Sequence, residues 1–291
     1  MRREFAILGA GRLGRTLGRL LARRDYLPAG LSCRTLRSAR QARRFIGGGV
    51  PTTSNLQAAA RARIVLIATP DREIVPVARE LARGRLPWTG RIVAHTSGAL
   101  SSAALDPLKN RGASVASVHP LASVAAARAD VELRGTPFAI EGAPGAVRVL
   151  RRLVADIGGH PVTIPREAKA LYHLIACILS NDLVAYLACG FAGAKGLGIG
   201  PRQAARLYLP LIRGTVDNVS NLGPVKALTG PISRGDVATL RLHSEALRTL
   251  PADVRRVHRI LALRSTGLAL DAGTIPAEIA ARMVRLLGAI P

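Results

Sequence analysis

Residues 5–21 read Phe5-Ala6-Ile7-Leu8-Gly9-Ala10-Gly11-Arg12-Leu13-Gly14-Arg15-Thr16-Leu17-Gly18-Arg19-Leu20-Leu21. A short apolar run is followed at once by Gly-x-Gly-x-x-Gly. Leu13, Leu17, Leu20 and Leu21 then share one face at helical spacing. The segment predicts strand, glycine turn and helix, the context in which this motif signals dinucleotide binding. Gly9 allows the tight turn, Gly11 lets the backbone approach a pyrophosphate, and Gly14 lets the helix pack on the strand. The amides of Gly11, Arg12, Leu13 and Gly14 at the helix start would face the phosphates.

The second strand of such a unit should end about 20 residues further on. Ala29 to Arg34 fits that place. No acidic residue lies between Asp25 and Asp71 to hold a ribose hydroxyl, and Ser32, Arg34, Thr35 and Arg37 stand there instead. Hydroxyls and guanidinium forks suit a 2′-phosphate. The reading is therefore NADP rather than NAD.

The remaining sequence up to Pro165 alternates strands and helices, which predicts an α/β domain built on a mostly parallel sheet. Strands are expected at 64–68, 91–95, 113–118, 138–140 and 161–163, with helices at 71–83 and 143–157. Ligands bind where such strands end. Thr69 and Pro70, then Thr96 and Ser97, are the expected cofactor contacts there, and His95 and His119 the expected substrate contacts. After Pro165 only helical signals remain, at about 166–194, 201–219, 236–250, 252–268 and 276–287. The expected domains are 1–164 for the cofactor and 165–291, all helical, for substrate and dimerisation.

On the first of those helices Lys169, His173, Cys177 and Asn181 recur every four residues, so they share a face. Lys169 or His173 there could protonate, or stabilise, the oxygen of a carbonyl that receives hydride. Asn181 could hold an amide. Apolar residues fill the other faces, and the helix is expected to be buried rather than to span a membrane. Leu228 to Asp236 is a breaker-rich loop. Asp236 is placed to cap the next helix, and Ser233 and Arg234 to meet a substrate carboxylate or phosphate.

The net charge is +24, yet only four of the 42 basic residues are lysines, and the arginines are spread along the whole chain. Aromatic residues make up 3%, so stacking platforms for nucleic acid are scarce. No nucleic-acid partner is expected. Three cysteines stand far apart without metal spacing, and no metal is expected. The N-terminal apolar run reads as a strand rather than a signal peptide, so the expected location is the cytoplasm.

These segments together resemble a bacterial family in which a Rossmann-like oxidoreductase domain precedes "domain of unknown function 2520". The resemblance rests on the glycine motif and on His95-Thr96-Ser97-Gly98, Ser117-Val118-His119-Pro120-Leu121 and Lys169-Ala170-Leu171-Tyr172-His173. Leu228 to Asp236 is its most specific part. More distantly the chain is similar to pyrroline-5-carboxylate reductase, ketopantoate reductase and the 6-phosphogluconate dehydrogenase group. That resemblance implies an NADP-dependent reductase of a small carbonyl or imine compound, with a 2-oxo acid such as ketopantoate as one substrate class. It also implies a homodimer formed through the helical domain. In hydroxyacid dehydrogenases a catalytic Lys is followed four residues later by Asn. Here His173 holds that place, so the roles do not transfer. The alternative is a non-catalytic NADP-binding sensor or scaffold.

Overall fold

The computed structural model describes residues 3–122 and 133–289. Eight strands form one sheet: β1 (Glu4–Leu8), β2 (Leu27–Ser32), β3 (Val50–Thr52), β4 (Ile64–Ile67), β5 (Ile92–His95), β6 (Ser114–Pro120), β7 (Pro137–Gly142) and β8 (His160–Thr163). Their order is β3-β2-β1-β4-β5-β6-β7-β8. All neighbours run parallel except β6 and β7, which are antiparallel. Phe5, Ala6, Ile7 and Leu8 have no exposed surface, as expected of a central strand covered on both faces.

Helices α1 (Arg12–Ala22), α2 (Leu36–Ile46), α3 (Asn55–Ala60), α4 (Asp71–Arg83), α5 (Asp106–Lys109) and α6 (Pro144–Asp156) connect these strands. β3, α2 and α3 carry weak sequence signals, and none was expected. α2 is rich in arginine, and β3 has three residues, one of them proline. The strand expected at 113–118 runs on through His119 and Pro120, which pair with Ala139 and Phe138 of β7.

The chain divides into two compact units, residues 1–180 and 181–291. The helical period begins after Pro165, yet α7 (Lys169–Cys177) belongs to the sheet unit. A π-turn over Ile178–Asp182 follows it. The second unit holds α8 (Leu183–Ala194), α9 (Pro201–Ala227), α10 (Val237–Leu247), α11 (Ala252–Asp271) and α12 (Ala277–Gly288). α9 outruns its expected end at 219 and is broken at Gly223 (φ 76°). No strand occurs after β8 among the described residues.

One expectation for the long helix needs correction. The helix is not buried: Leu171, Leu174, Ile178, Leu179 and Val184 are all more than half exposed in the single chain. By length and composition alone the stretch Arg166–Leu197 could cross a membrane. The π-turn falls between Cys177 and Leu183, and Asn181 within it is exposed.

Candidate active site

The glycine turn is built as its sequence requires. Gly9 has φ +81°, and a Cβ there would stand 2.8 Å from the backbone nitrogen of Thr69. The amides of Gly9 and Ala10 donate to the Ser32 carbonyl at 3.0 and 3.1 Å, and that of Gly11 to the Gly9 carbonyl at 2.7 Å. At Gly14 a Cβ would meet the Gly9 carbonyl oxygen at 2.7 Å, so the helix can sit this close only with glycine. Gly11 faces open space, with the Gly9 oxygen 4.0 Å away as its nearest neighbour.

The start of α1 has no side-chain cap and no acidic residue in its first turn. Its first three amides, from Arg12, Leu13 and Gly14, therefore lack acceptors. α2 and α10 differ, since Thr35 and Asp236 accept from their third residues at 3.2 and 2.9 Å. Nε of Arg15 and Oγ1 of Thr69 are also buried without partners. An open cradle lined by unpaired donors fits a pyrophosphate.

At the end of β2, Arg34 and Arg37 are exposed and free to meet a phosphate. Ser32 is not: it is 1% exposed and its hydroxyl donates to Asn55 at 2.7 Å. Thr35 is occupied as the cap of α2. The basic side chains, rather than the hydroxyls, are available to a 2′-phosphate.

β5 ends in a loop fixed by buried polar groups. His95, Ser117 and Glu141 stand side by side across β5, β6 and β7. Nε2 of His95 lies 3.0 Å from the Ser101 carbonyl, and its Nδ1 accepts from the Ser97 amide at 3.2 Å. Both ring nitrogens are thus committed to the backbone, in the tautomer protonated at Nε2. Ser97 donates to Asp71 at 2.7 Å and accepts from the amides of Ala99 and Leu100. Glu141, 2% exposed, accepts from the Ser102 amide at 2.6 Å and the Ser102 hydroxyl at 2.8 Å. Burial pushes the pKa of His95 down to about 4. It does the same to His119, helped by Lys169 and His173. Both rings are uncharged at neutral pH.

α7 brings Lys169, Tyr172 and His173 to this loop. Lys169 is 1% exposed, and its Nζ has no hydrogen-bond partner. Its pKa falls to about 8, chiefly through burial, while the carboxylates of Glu141 and Asp71 oppose the shift. The His119 and His173 rings lie edge to face with centres 6.1 Å apart. A Cβ on Gly98 would come within 2.3 Å of the His173 ring and 2.9 Å of Nε2 of His119. The structure thus brings together His95, Thr96, Ser97, His119, Lys169 and His173. It adds Tyr172, Asp71 and Glu141, which sequence reasoning missed as site residues.

Ser233, Arg234 and Asn181 belong to the second unit. The Ser233 hydroxyl donates to the Gly230 carbonyl at 3.0 Å. Asp236 caps α10 as expected and takes the Thr239 amide and hydroxyl at 2.9 and 2.6 Å. Amides needed for an anion site are therefore held by the chain's own carboxylate. Arg234 remains exposed.

The architecture is that of a dinucleotide-binding α/β protein with a helical C-terminal part. Residues 1–120 match the Rossmann-like domain, and residues 136–265 match the Domain of unknown function DUF2520. The chain is therefore a Rossmann-like domain joined to a DUF2520 domain. No curated protein matches its sequence. Among solved structures it is similar to a protein of Bacteroides fragilis provisionally described as an NADP oxidoreductase (21% identity, TM-score 0.73, 91% of this chain and 98% of the other). It is similar also to a protein of Thermotoga maritima (24%, 0.69, 92% and 98%). A third is the reductive aminase of Aspergillus terreus, solved with NADPH and ethyl levulinate (16%, 0.68, 96% and 98%). At these identities the likeness is one of fold.

Proposed function

We propose that this protein is an NADPH-dependent reductase of a small anionic compound bearing a C=O or C=N group, 2-oxo acids being one such class. One observation carries the reading. A buried ammonium without a hydrogen-bond partner, Lys169, stands beside the uncharged His95 and His119 in the unit whose glycine turn is open to a dinucleotide. A buried ammonium without a hydrogen-bond acceptor is costly, and a substrate anion or developing oxyanion would supply one. Bound NADPH would supply the hydride. The amides of Arg12, Leu13 and Gly14 would hold its pyrophosphate, and Arg34 its 2′-phosphate. Thr69, Pro70, Thr96 and Ser97 would line the nicotinamide end, where the fixed loop keeps the crevice in shape.

Fluorescence titration tests the cofactor first. NADPH should bind at least ~10-fold more tightly than NADH, about 1.4 kcal/mol, and Arg34→Ala should remove most of that preference. Equal affinities in the parent protein would sink the assignment. A panel of 2-oxo acids and cyclic imines, followed by NADPH absorbance, then tests turnover. Tight NADPH binding with no turnover would favour the sensor reading.

The exposed apolar residues of α7, and those of α8, support a homodimer built through the helices after Pro165, and the expected location remains the cytoplasm. Lys169, His173, Asn181 and Asp182 within the stretch disfavour a membrane span. Light scattering should give twice the chain mass, and Val184→Glu, replacing a residue 67% exposed in the single chain, should halve it. A monomeric parent protein would discard the dimer.

A further inference from the structure

The hydroxyl of Tyr172 lies 3.0 Å from Nδ1 of His119. Either atom could donate, and the tautomer of the imidazole decides which does. Nε2 of His119 lies 2.9 Å from where a Cβ on Gly98 would stand. With its proton on Nδ1, the imidazole donates to the Tyr172 oxygen. The phenol's own proton is then free for a different acceptor.

Burial raises the pKa of the Tyr172 phenol, so the phenolate left by proton transfer depends on its neighbours. The Lys169 ammonium stands 5.5 Å from the centre of the Tyr172 ring. The His119 ring meets the Tyr172 ring edge to face, with centres 5.7 Å apart. A phenolate at Tyr172 would keep the Nδ1–H bond of His119 and gain a neighbouring cation. His95 is excluded as donor by its two backbone bonds.

We propose that Tyr172 is the proton donor of the reaction and that His119 is the positioning residue that holds its oxygen. This rests on the reductase reading. The substrate carbon takes up hydride as the C=O or C=N π bond opens. The Tyr172 O–H bond breaks, and its proton goes to the substrate oxygen or nitrogen. The electron pair stays on the phenolate beside Lys169, and solvent returns a proton to it afterwards.

Histidine nitrogen NMR and kinetics test this together. In the parent protein His119 should show a protonated Nδ1 and a bare Nε2. Tyr172→Phe should lower kcat by ~10²–10⁴-fold while KM and the NADPH Kd stay within about threefold. His119→Asn presents an N–H near the Nδ1 position and should keep kcat within about tenfold of the parent, whereas His119→Leu should fall towards the Tyr172→Phe level. Full turnover by Tyr172→Phe, or a His119 protonated at Nε2 alone, would overturn the assignment with the reductase reading intact. Failure to bind NADPH, or a panel without turnover, would overturn both.

Discussion

Replacing Lys169 with methionine is expected to lower kcat by ~10²–10⁴-fold, the scale of a lost electrostatic or proton-handling group. The NADPH Kd should hardly change, because the pyrophosphate cradle is built from β1, α1 and their turn. Methionine fills a similar volume and removes a buried charge that has no hydrogen-bond partner, while Glu141 and Asp71 lose a countercharge, so stability should change little. The pH profile gives a second check. Lys169 titrates at about 8, so kcat should fall as pH rises through that value and the ammonium is lost. Lys169→Arg keeps its charge throughout and should lose this alkaline limb even if its rate is lower. A Lys169→Met protein with full kcat would remove Lys169 from the chemistry.

Gly9→Ala and Gly11→Ala should part company. At Gly9 an alanine adopts φ +81° and sets its Cβ 2.8 Å from the Thr69 backbone nitrogen and 3.0 Å from the Ala68 carbonyl carbon. Neither neighbour is a side-chain end that can swing aside. Left-handed strain and overpacking each cost ~1–3 kcal/mol, so about 2–6 kcal/mol should be lost. At ~2–4 °C per kcal/mol the melting temperature should drop on the order of 10 °C. At Gly11 the backbone is extended (φ −70°, ψ −158°) and the space in front is open. Alanine there should leave the melting temperature within ~2 °C, since an unstrained, uncrowded surface change shifts stability by under ~0.5 kcal/mol. NADPH affinity should nonetheless fall at least ~10-fold, or 1.4 kcal/mol, because the methyl group stands where the pyrophosphate must come. Equal thermal losses in the two variants would contradict the roles assigned to these glycines.

The glycine turn and α4 were legible because each rests on local chemistry: a compulsory positive φ at Gly9, and one apolar helical stripe. α4 spans Asp71–Arg83, as its pattern predicts. Lys169 and His173 were legible as a pair because four-residue spacing survives inside α7. The π-turn over Ile178–Asp182 was not legible, because it carries no sequence signature of its own. Tyr172 was hidden for a different reason. On a helix crowded with Leu and Ile it counts as one more apolar residue until His119, 53 positions away, comes within 3.0 Å. Glu141 gave no sign either, since its partner Ser102 lies 39 residues off. The exposed apolar residues of α7 and of α8 misled in the opposite direction: apolar composition says that a residue suits burial, not that its own chain buries it.

The double anchoring of His95 makes acid the weak flank of this molecule. An imidazole held at both nitrogens can take a second proton only by giving up the Ser97 amide, and the loop after β5 goes with that bond. In the unfolded chain His95 and His119 would titrate at their ordinary 6.5, while in the folded protein each waits until about 4. Between those values the unfolded state binds more protons, so stability is complete above 6.5 and drains away as the pH falls towards 4. Carboxylates usually set the acid limit of a protein. Here two neutral imidazoles should set it, at a milder acidity. Denaturant midpoints should decline between pH 6.5 and 4, and His95→Gln, lower at neutrality, should show a shallower decline. The crevice would then be the first part of the sheet unit to come undone in acid.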